Sequence, residues 1–117
     1  MKKNIFLKIQ KLITTKNFTK AITTVPGAPT GLTAGTITSN SIALSWTAPS
    51  SNGGSSITDY LVSFTPSVGS ASTSYTLFEL NPGTTYTITV SAVNGVGTGY
   101  ASSSITETTF GKFIYIF

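Results

Sequence analysis

The sequence predicts an all-β protein, an antiparallel β-sandwich of six to seven strands, and three observations support this. Ser and Thr supply most of the polarity, with 16 and 22 residues of 117, while charged residues make up only 9%. Such hydroxyl-rich, β-branched composition favours strands over helices. Short runs of alternating apolar and polar residues recur, separated by turn residues about every 8–12 positions. Finally, a turn at 81–83 leads into a long alternating run.

That turn, Asn81-Pro82-Gly83, lies between Leu80 and a strand that begins near Tyr86. Pro presets the φ angle of a turn and Gly accepts a positive φ, so the chain reverses here. A Tyr at the start of the next strand can direct its ring inward and its hydroxyl back to the turn backbone. The stretch therefore predicts a tyrosine corner, a feature of Greek-key sandwiches.

The remaining elements follow from period-two patterns between turns. The clearest is 41–47, where Ile42, Leu44 and Trp46 share one face. We expect the rings of Trp46 and Tyr86 to meet in the core. The predicted strands are 31–37, 41–47, 57–65, 74–80, 84–93 and 100–109. The predicted core residues are Trp46, Leu80, Tyr86, Ile42, Leu44, Val62, Leu77, Ile88 and Val90.

The composition divides the chain into a leader at 1–24, a domain at 25–110 and an apolar tail at 111–117. Six of the seven Lys lie in the first 20 residues, where apolar residues recur at helical spacing. This pattern is typical of a short basic amphipathic helix that contacts a membrane surface through residues 1–20. A mobile basic leader is the simpler interpretation, and Lys8 and Lys11 interrupt the apolar run of a secretory signal.

The tail, Phe113–Phe117, is a run of β-prone apolar residues without charge. It offers a route to self-association, in which the tail of one chain adds as a strand to a sheet edge of another. The acceptor would be the polar segment 66–73, where the sequence provides at most a short edge strand.

Catalytic and cofactor chemistry finds little support in this sequence. It contains no His, Cys or Arg, so Ser-His and Cys-His catalysis and imidazole or thiolate metal sites are excluded. The domain's acids, Asp59, Glu79 and Glu107, are far apart in sequence and lie near predicted strand ends. The run 95–99 is Gly-rich but lacks the Lys and helix of a phosphate loop. We therefore predict no catalytic residue, metal or cofactor, and no nucleic-acid partner.

Several motifs together resemble a fibronectin type III domain over residues 26–109. They are Pro26-x-x-Pro29 before Leu32, Trp46, Tyr60-x-Val62, Leu80-x-Pro82-Gly83-Thr84-x-Tyr86, and Ala92-x-Asn94 followed by Gly97-x-Gly99 and Ser102. The resemblance implies an immunoglobulin-like sandwich that serves as a non-catalytic structural or adhesive module, in an extracellular, cell-surface or virion setting. Its partner would be a protein or carbohydrate surface. The segment 65–74 is shorter than the family pattern, which suggests that one edge strand is vestigial.

Two surfaces are candidates for that contact. The first is formed by the loops after the second strand and before the last. Their candidate contact residues are Asn52, Gly53, Gly54, Asn94, Gly95, Val96 and Gly97. The second is an uncharged hydroxyl surface at outward positions of three strands, although Thr is also simply a favourable exposed strand residue. Its predicted members are Ser63, Thr65, Thr85, Thr87, Thr89, Ser91, Ser102, Ser104, Thr106 and Thr108.

Overall fold

The computed structural model describes residues 22–63 and 67–112, and this part of the chain contains strands and no helix. The leader helix and the tail strand predicted above lie outside the described residues, as does Thr65. The strands are β1 (Thr30–Ile37), β2 (Ile42–Thr47), β3 (Asp59–Val62), β4 (Ser74–Leu77), β5 (Thr85–Ile88), β6 (Val90–Val93), β7 (Thr98–Ala101) and β8 (Ile105–Thr108).

The strands form two layers, and each strand pairs only in the antiparallel sense. One layer has the order β1-β2-β4, and the other contains β3-β6-β7 together with the pair β5-β8. β5 and β6 follow each other with a single residue between them, and β7 and β8 are separated by residues 102–104. Counting each of these pairs as one interrupted strand gives six strands, so the predicted antiparallel sandwich is confirmed.

Serine hydroxyls bridge the interruption between β5 and β6. The N–H of Thr89 donates to the Ser63 hydroxyl at 2.7 Å, and the N–H of Ser63 donates to the Thr89 carbonyl at 3.0 Å. On the other side, the N–H of Val90 donates to the Ser102 hydroxyl at 3.0 Å, and the N–H of Ser102 returns to the Val90 carbonyl at 2.8 Å. Because these hydroxyls accept bonds that a strand carbonyl would otherwise accept, the second layer remains bonded across its break.

The core lies between the layers and draws on both. Seven of the nine predicted core residues are buried, and the other two, Leu80 and Tyr86, are half-buried and pack against its edge. Three buried apolar residues were missing from the prediction. The complete buried cluster is Leu32, Ile42, Leu44, Trp46, Tyr60, Val62, Leu77, Ile88, Val90 and Ala92.

The aromatic pair in the core differs from the predicted one. The Trp46 ring meets the Tyr60 ring edge-on, with centroids 5.2 Å apart and planes at 64°. Tyr60 pairs with Ala92 in β6, and Tyr86 lies six residues before Ala92, ~20 Å along an extended chain. The expectation that the Trp46 and Tyr86 rings meet is therefore wrong, because they lie toward opposite ends of the sandwich.

Tyr86 instead forms the predicted tyrosine corner. Its hydroxyl accepts the backbone N–H of Asn81 at 2.9 Å. The buried hydroxyl of Thr109 donates to the Asn81 carbonyl at 2.5 Å and accepts the N–H of Thr84 at 3.0 Å. The turn is thus bonded through side chains from two strands, which fixes the start of β5 against the end of β8.

The segment 67–73, expected to leave a thin sheet edge, covers part of β3. The N–H of Val68 donates to the Tyr60 carbonyl at 2.9 Å, and the N–H of Gly69 donates to the Asp59 carboxylate at 2.8 Å. No strand forms in 67–73. The segment therefore occupies hydrogen-bonding groups that a strand added to this edge would need.

Candidate functional site

The sandwich has two ends, which we name by the features that form them. The loop pole consists of 22–27, 48–58 and 94–99, and the corner pole consists of 38–41, 78–84 and 109–112. The loop pole contains the contact loops predicted from the sequence. Its three segments include no charged residue.

The lead-in segment 22–27 closes much of the loop pole. The N–H of Thr24 donates to the Gly53 carbonyl at 2.8 Å, and the N–H of Gly27 donates to the Ser51 carbonyl at 3.0 Å. The segment passes so close to Gly53 that a Cβ there would overlap the Thr24 carbonyl, and Gly53 has a φ of 73°. Gly therefore meets two requirements at once, a positive φ and a close backbone approach.

Asn94 holds the lead-in segment to both loops. Its side-chain amide donates to the carbonyls of Thr24 and Asn52, each at 2.8 Å. Its side-chain oxygen accepts the N–H groups of Val96 at 2.9 Å and Gly97 at 3.2 Å. The residue is 4% exposed. Asn94 is thus a buried clasp with four bonds within the chain, and its side chain is not available to an external partner.

The other predicted contact residues divide between structure and surface. Gly53 and Gly97 are half-buried beneath the lead-in segment, and a Cβ on Gly97 would lie 3.6 Å from the Val25 side chain. Four of the seven are exposed: Asn52, Gly54, Gly95 and Val96. Only the tips of these loops are open to a partner, because the chain's own lead-in segment occupies the space between them.

The hydroxyl face lies on the outer side of β5 and β8. Thr85 pairs with Thr108, and Thr87 pairs with Thr106, and all four are exposed. The hydroxyls of Thr85 and Thr108 are hydrogen-bonded at 2.8 Å. Strand geometry spaces such side chains about 5 Å apart across the sheet and about 7 Å apart along it. We define the hydroxyl face as these four threonines.

The wider hydroxyl surface predicted from the sequence is only partly outward. Ser63, Thr89 and Ser91 are half-exposed, and Ser104 is exposed. Ser102 is buried, because its hydroxyl takes part in bridging the strand interruption. The expected alternation is lost at Ser102 because the last strand is interrupted there, so the prediction that this side chain points outward is wrong.

The titratable groups of the described residues are spread over the domain. Burial raises the pKa of Asp59, but hydrogen bonds from the Ser67 side chain and from backbone N–H groups outweigh it, so that the net pKa is lowered. Burial raises the pKa of Tyr60, and the nearby Trp46 side chain offsets part of that rise. Within 22–63 and 67–112, no group of three or more His, Cys, Asp or Glu residues could hold a metal ion.

A shallow cleft of about 230 Å³ opens between the start of β1 and the interruption of the last strand. It is lined by 29–32 and 102–105, which include three serines and no charged residue. The lining residues include no Asp, Glu, Lys or His that could act as a general base toward these serine hydroxyls.

The fold by itself indicates a class of protein. Two antiparallel layers and a tyrosine corner together indicate an immunoglobulin-like sandwich. The model of the family "Fibronectin type III domain" matches residues 27–109. The chain belongs to the fibronectin type III family.

Curated relatives and solved structures agree with this assignment. Exoglucanase B of Cellulomonas fimi is 40% identical over 99 residues, which are 83% of this chain and 9% of the relative. Cell adhesion molecule DSCAM of Homo sapiens is 39% identical over 97 residues, 75% of this chain and 5% of the relative. The chain thus spans a tenth or less of these relatives.

Among solved structures, "Titin kinase and its flanking domains" matches with a TM-score of 0.63 and 34% identity, over 75% of this chain and 17% of that one. The FN5 domain of Drosophila Lar matches with a TM-score of 0.60 and 27% identity, over 75% of this chain and all of that one. The similarity therefore concerns the fibronectin type III domain.

The described residues contain no helix of the length and apolarity that crossing a bilayer requires.

The sequence motifs include Asn94, but its role as a clasp was not predicted. The Asn-Gly pair marks a turn at the start of the hairpin, but no local signal in the sequence indicates a bond between Asn94 and the lead-in segment.

Proposed function

We propose that this domain is a non-catalytic structural and adhesive module that contacts a neutral carbohydrate or protein surface through its hydroxyl face. One observation carries the proposal: the four exposed threonines of β5 and β8 form an uncharged array on a rigid sheet. Burying such a surface requires no desolvation of a charge, and each hydroxyl can both donate and accept a hydrogen bond.

The closure of the loop pole supports placing the contact on this face. Asn94 and the lead-in segment occupy the space between the loops, so only the loop tips are exposed there, whereas all four threonines of the hydroxyl face are exposed. Glu107 lies on the other side of β8, since successive residues of a strand point to opposite sides. The face therefore stays neutral although an acid lies between two of its threonines.

The similar proteins support the setting and the choice of probe. One relative is a cell adhesion molecule, which supports an extracellular or cell-surface setting. Two relatives are exoglucanases, which supports insoluble glucan as the first probe. The alternative of membrane contact through residues 1–20 lies outside the described residues and rests on the sequence pattern alone.

The proposal is tested by co-sedimentation of the full chain with insoluble cellulose and chitin. The test variant is Thr87→Lys, and the matched control is Thr33→Lys, which is also an exposed threonine but lies on the outer side of the other layer. We expect weak retention of the parent chain, loss in Thr87→Lys and parent-like retention in Thr33→Lys. Equal effects of the two variants would contradict the use of this face.

Retention on neither polysaccharide would exclude glucan and chitin as partners and would shift the proposal to a protein surface. Once a candidate partner protein has been identified, the same two variants, Thr87→Lys and Thr33→Lys, test whether it binds the hydroxyl face. Binding that weakens steeply with added salt would also contradict a neutral contact, because salt screens charge interactions and not contacts between uncharged groups.

A further inference from the structure

Two Asn-Gly pairs lie at the loop pole, Asn52-Gly53 and Asn94-Gly95. We propose that the first pair is a site of spontaneous deamidation, that the second is protected by its hydrogen bonds, and that conversion of the first opens the loop pole. The proposal is independent of the hydroxyl face. It assigns a covalent modification in which the chain supplies both the nucleophile and the carbon that it attacks, and solvent water completes the reaction.

The reaction needs the Asn side chain, the next backbone nitrogen and water. The Gly53 nitrogen attacks Cγ of Asn52, so that an N–Cγ bond forms and the Cγ–Nδ2 bond breaks. Nδ2 leaves as ammonia, with the proton that the Gly53 nitrogen loses, and a cyclic succinimide remains. Water then opens the ring, giving its hydroxyl to a carbonyl carbon and its proton to the nitrogen. Gly at the second position favours ring closure, because no side chain crowds the attacking nitrogen.

The loop at 51–54 polarises both reacting groups of the first pair. The N–H of Gly54 donates to the Asn52 side-chain oxygen at 2.9 Å, which draws electron density from Cγ and stabilises the negative charge that develops on this oxygen. The N–H of Gly53 donates to the Ser51 hydroxyl at 3.2 Å, so the attacking nitrogen has an acceptor at its proton. Asn52 is exposed, so water reaches the site and ammonia leaves it freely.

Asn94 has the same neighbour in sequence and the opposite environment. Its side-chain nitrogen, the leaving group of the reaction, donates to the carbonyls of Thr24 and Asn52, each at 2.8 Å. The residue is 4% exposed, so the reaction must break these bonds and admit water to a buried site. The bond from Gly54 to the Asn52 side chain is exposed by comparison. Deamidation of Asn94 therefore breaks the clasp, whereas deamidation of Asn52 begins without opening the fold.

The two directions of ring opening have different consequences at position 52. Cleavage of the N–Cγ bond gives aspartate and leaves the backbone unchanged. Cleavage between the nitrogen and the α-carbonyl carbon gives isoaspartate, in which the chain runs through Cβ and Cγ and gains one carbon before Gly53. The former Asn52 carbonyl, which accepts the Asn94 amide, then becomes part of a free carboxylate.

The loop has no room for the added carbon. A Cβ on Gly53 would already overlap the Thr24 carbonyl, and the Gly53 carbonyl accepts the N–H of Thr24 at 2.8 Å. Isoaspartate therefore pushes Gly53 against the lead-in segment and breaks this bond. Because the Asn94 amide bonds to Thr24 and to position 52, the same change removes both of its acceptors and ends its protection. The two pairs thus convert in a fixed order.

The first test follows both sites while the full chain is aged at mildly alkaline pH, folded and in urea. Chymotrypsin, which cleaves after aromatic residues, separates the sites: the peptide 47–60 follows Trp46 and ends at Tyr60, and the peptide 87–100 follows Tyr86 and ends at Tyr100. Each peptide contains one Asn and no Gln, so its gain in mass on exchange of NH2 for OH reports a single site. Conversion during digestion affects both peptides alike, since both contain Asn-Gly.

In the folded chain we expect Asn52 to convert at least ~10-fold faster than Asn94, because the reaction at Asn94 must first break its buried bonds. In urea the two should convert at similar rates. An intact Asn52 in the folded chain, at a time when both sites have converted in urea, would overturn the proposal. Equal rates at the two sites in the folded chain would overturn it as well.

Ser51→Ala tests the polarised nitrogen, with the exposed neighbour Ser50→Ala as the matched control. Ser51→Ala should slow conversion of Asn52 several-fold in the folded chain and leave its rate in urea unchanged. A change in stability alone would not produce this pattern, because it would not slow conversion in the folded chain. Equal rates in Ser51→Ala and Ser50→Ala would overturn the assignment of Ser51 as a positioning residue.

The opening of the pole is tested on the isoaspartate product, isolated by ion exchange and identified by methylation with an isoaspartate methyltransferase. The matched control is Asn52→Asp, which carries the same added charge without the extra backbone carbon. In the isoaspartate chain we expect faster deuterium exchange at the Thr24 amide and faster conversion of Asn94 on further ageing, and we expect parent-like values in Asn52→Asp. Parent-like values in the isoaspartate chain, or equal acceleration in both chains, would overturn opening of the pole by the added carbon.

Discussion

The Asn94 clasp provides the sharpest test of how the loop pole is built. We consider two substitutions, Asn94→Ala and Asn94→Asp, with Asn52→Asp as a matched control. Asn52 is exposed, and its side-chain oxygen accepts the N–H of Gly54 at 2.9 Å, a bond that an Asp would keep. The control therefore adds the same charge at the same pole without breaking a hydrogen bond.

The expected magnitude for Asn94→Ala follows from the bonds that it removes. Four hydrogen bonds are lost, two donated and two accepted, at roughly 1 kcal/mol each. The carbonyls of Thr24 and Asn52 belong to exposed residues and can regain water, which reduces the loss. We therefore expect the free energy of unfolding to fall by about 2–3 kcal/mol.

Asn94→Asp removes only the two hydrogen bonds that the side-chain amide donates and keeps the two that the side-chain oxygen accepts. Its carboxylate still accepts from Val96 and Gly97, but its other oxygen lies against the carbonyls of Thr24 and Asn52, where an N–H group was. This environment raises the pKa of the introduced acid, since it disfavours the charged form. Because this pKa is raised on folding, the acid contributes most to the free energy of unfolding below its unfolded-state pKa. That contribution is lost as pH rises through its folded-state pKa.

The assay is urea unfolding followed by the fluorescence of Trp46, the one Trp of the chain. At neutral pH we expect Asn94→Asp to be at least as destabilised as Asn94→Ala, and to recover part of that loss on acidification relative to the parent chain. Asn52→Asp should stay within about 0.5 kcal/mol of the parent chain. Parent-like stability of Asn94→Asp at neutral pH would refute the clasp.

Three further changes test the rest of the fold. Trp46→Ala should lower the free energy of unfolding by ~3–5 kcal/mol, because it removes the largest ring of the core; this variant lacks the fluorescent Trp, so its urea unfolding is followed by circular dichroism, and a near-parent midpoint would contradict the prediction. Tyr86→Phe removes the hydroxyl that accepts the Asn81 N–H and should cost about 1 kcal/mol in the same assay, whereas no change would show that the corner bond is dispensable. Asp59 has a lowered pKa, so its stabilisation is present above the unfolded-state pKa of about 3.9 and is lost as pH falls through the folded-state value. Thermal unfolding of Asp59→Asn should accordingly depend less on pH in this acid range, and an unchanged profile would count against that role.

The local signals in the sequence account for most of the fold. Alternation located β2 and the β5–β6 run, and Pro82-Gly83 with Tyr86 located the corner, because these patterns depend on neighbours within a few residues. The pairing of Trp46 with Tyr60 depends instead on how two layers align. Period two assigns a residue to a face but not to a height along the sandwich, so the choice of Tyr86 as partner failed.

The site was less predictable for the same physical reason. Asn94 and Thr24 lie 70 residues apart, and nothing local to either residue indicates that they bond. Without that contact, the loops at 52–54 and 94–97 looked open to a partner. The burial of Ser102 was also hidden, since its hydroxyl substitutes for a backbone acceptor only because the last strand is interrupted there.

Hydrogen–deuterium exchange at the loop pole tests the central claim most directly. The amides of Thr24, Val96 and Gly97 donate to acceptors within the fold, whereas Gly95 lies at the exposed tip of the same hairpin. A closed pole predicts that the three bonded amides exchange slowly and that all three lose protection together in Asn94→Ala, while the amide of Ser63 at the strand interruption stays protected. Exchange of the three at the rate of an open loop in the parent chain would contradict it.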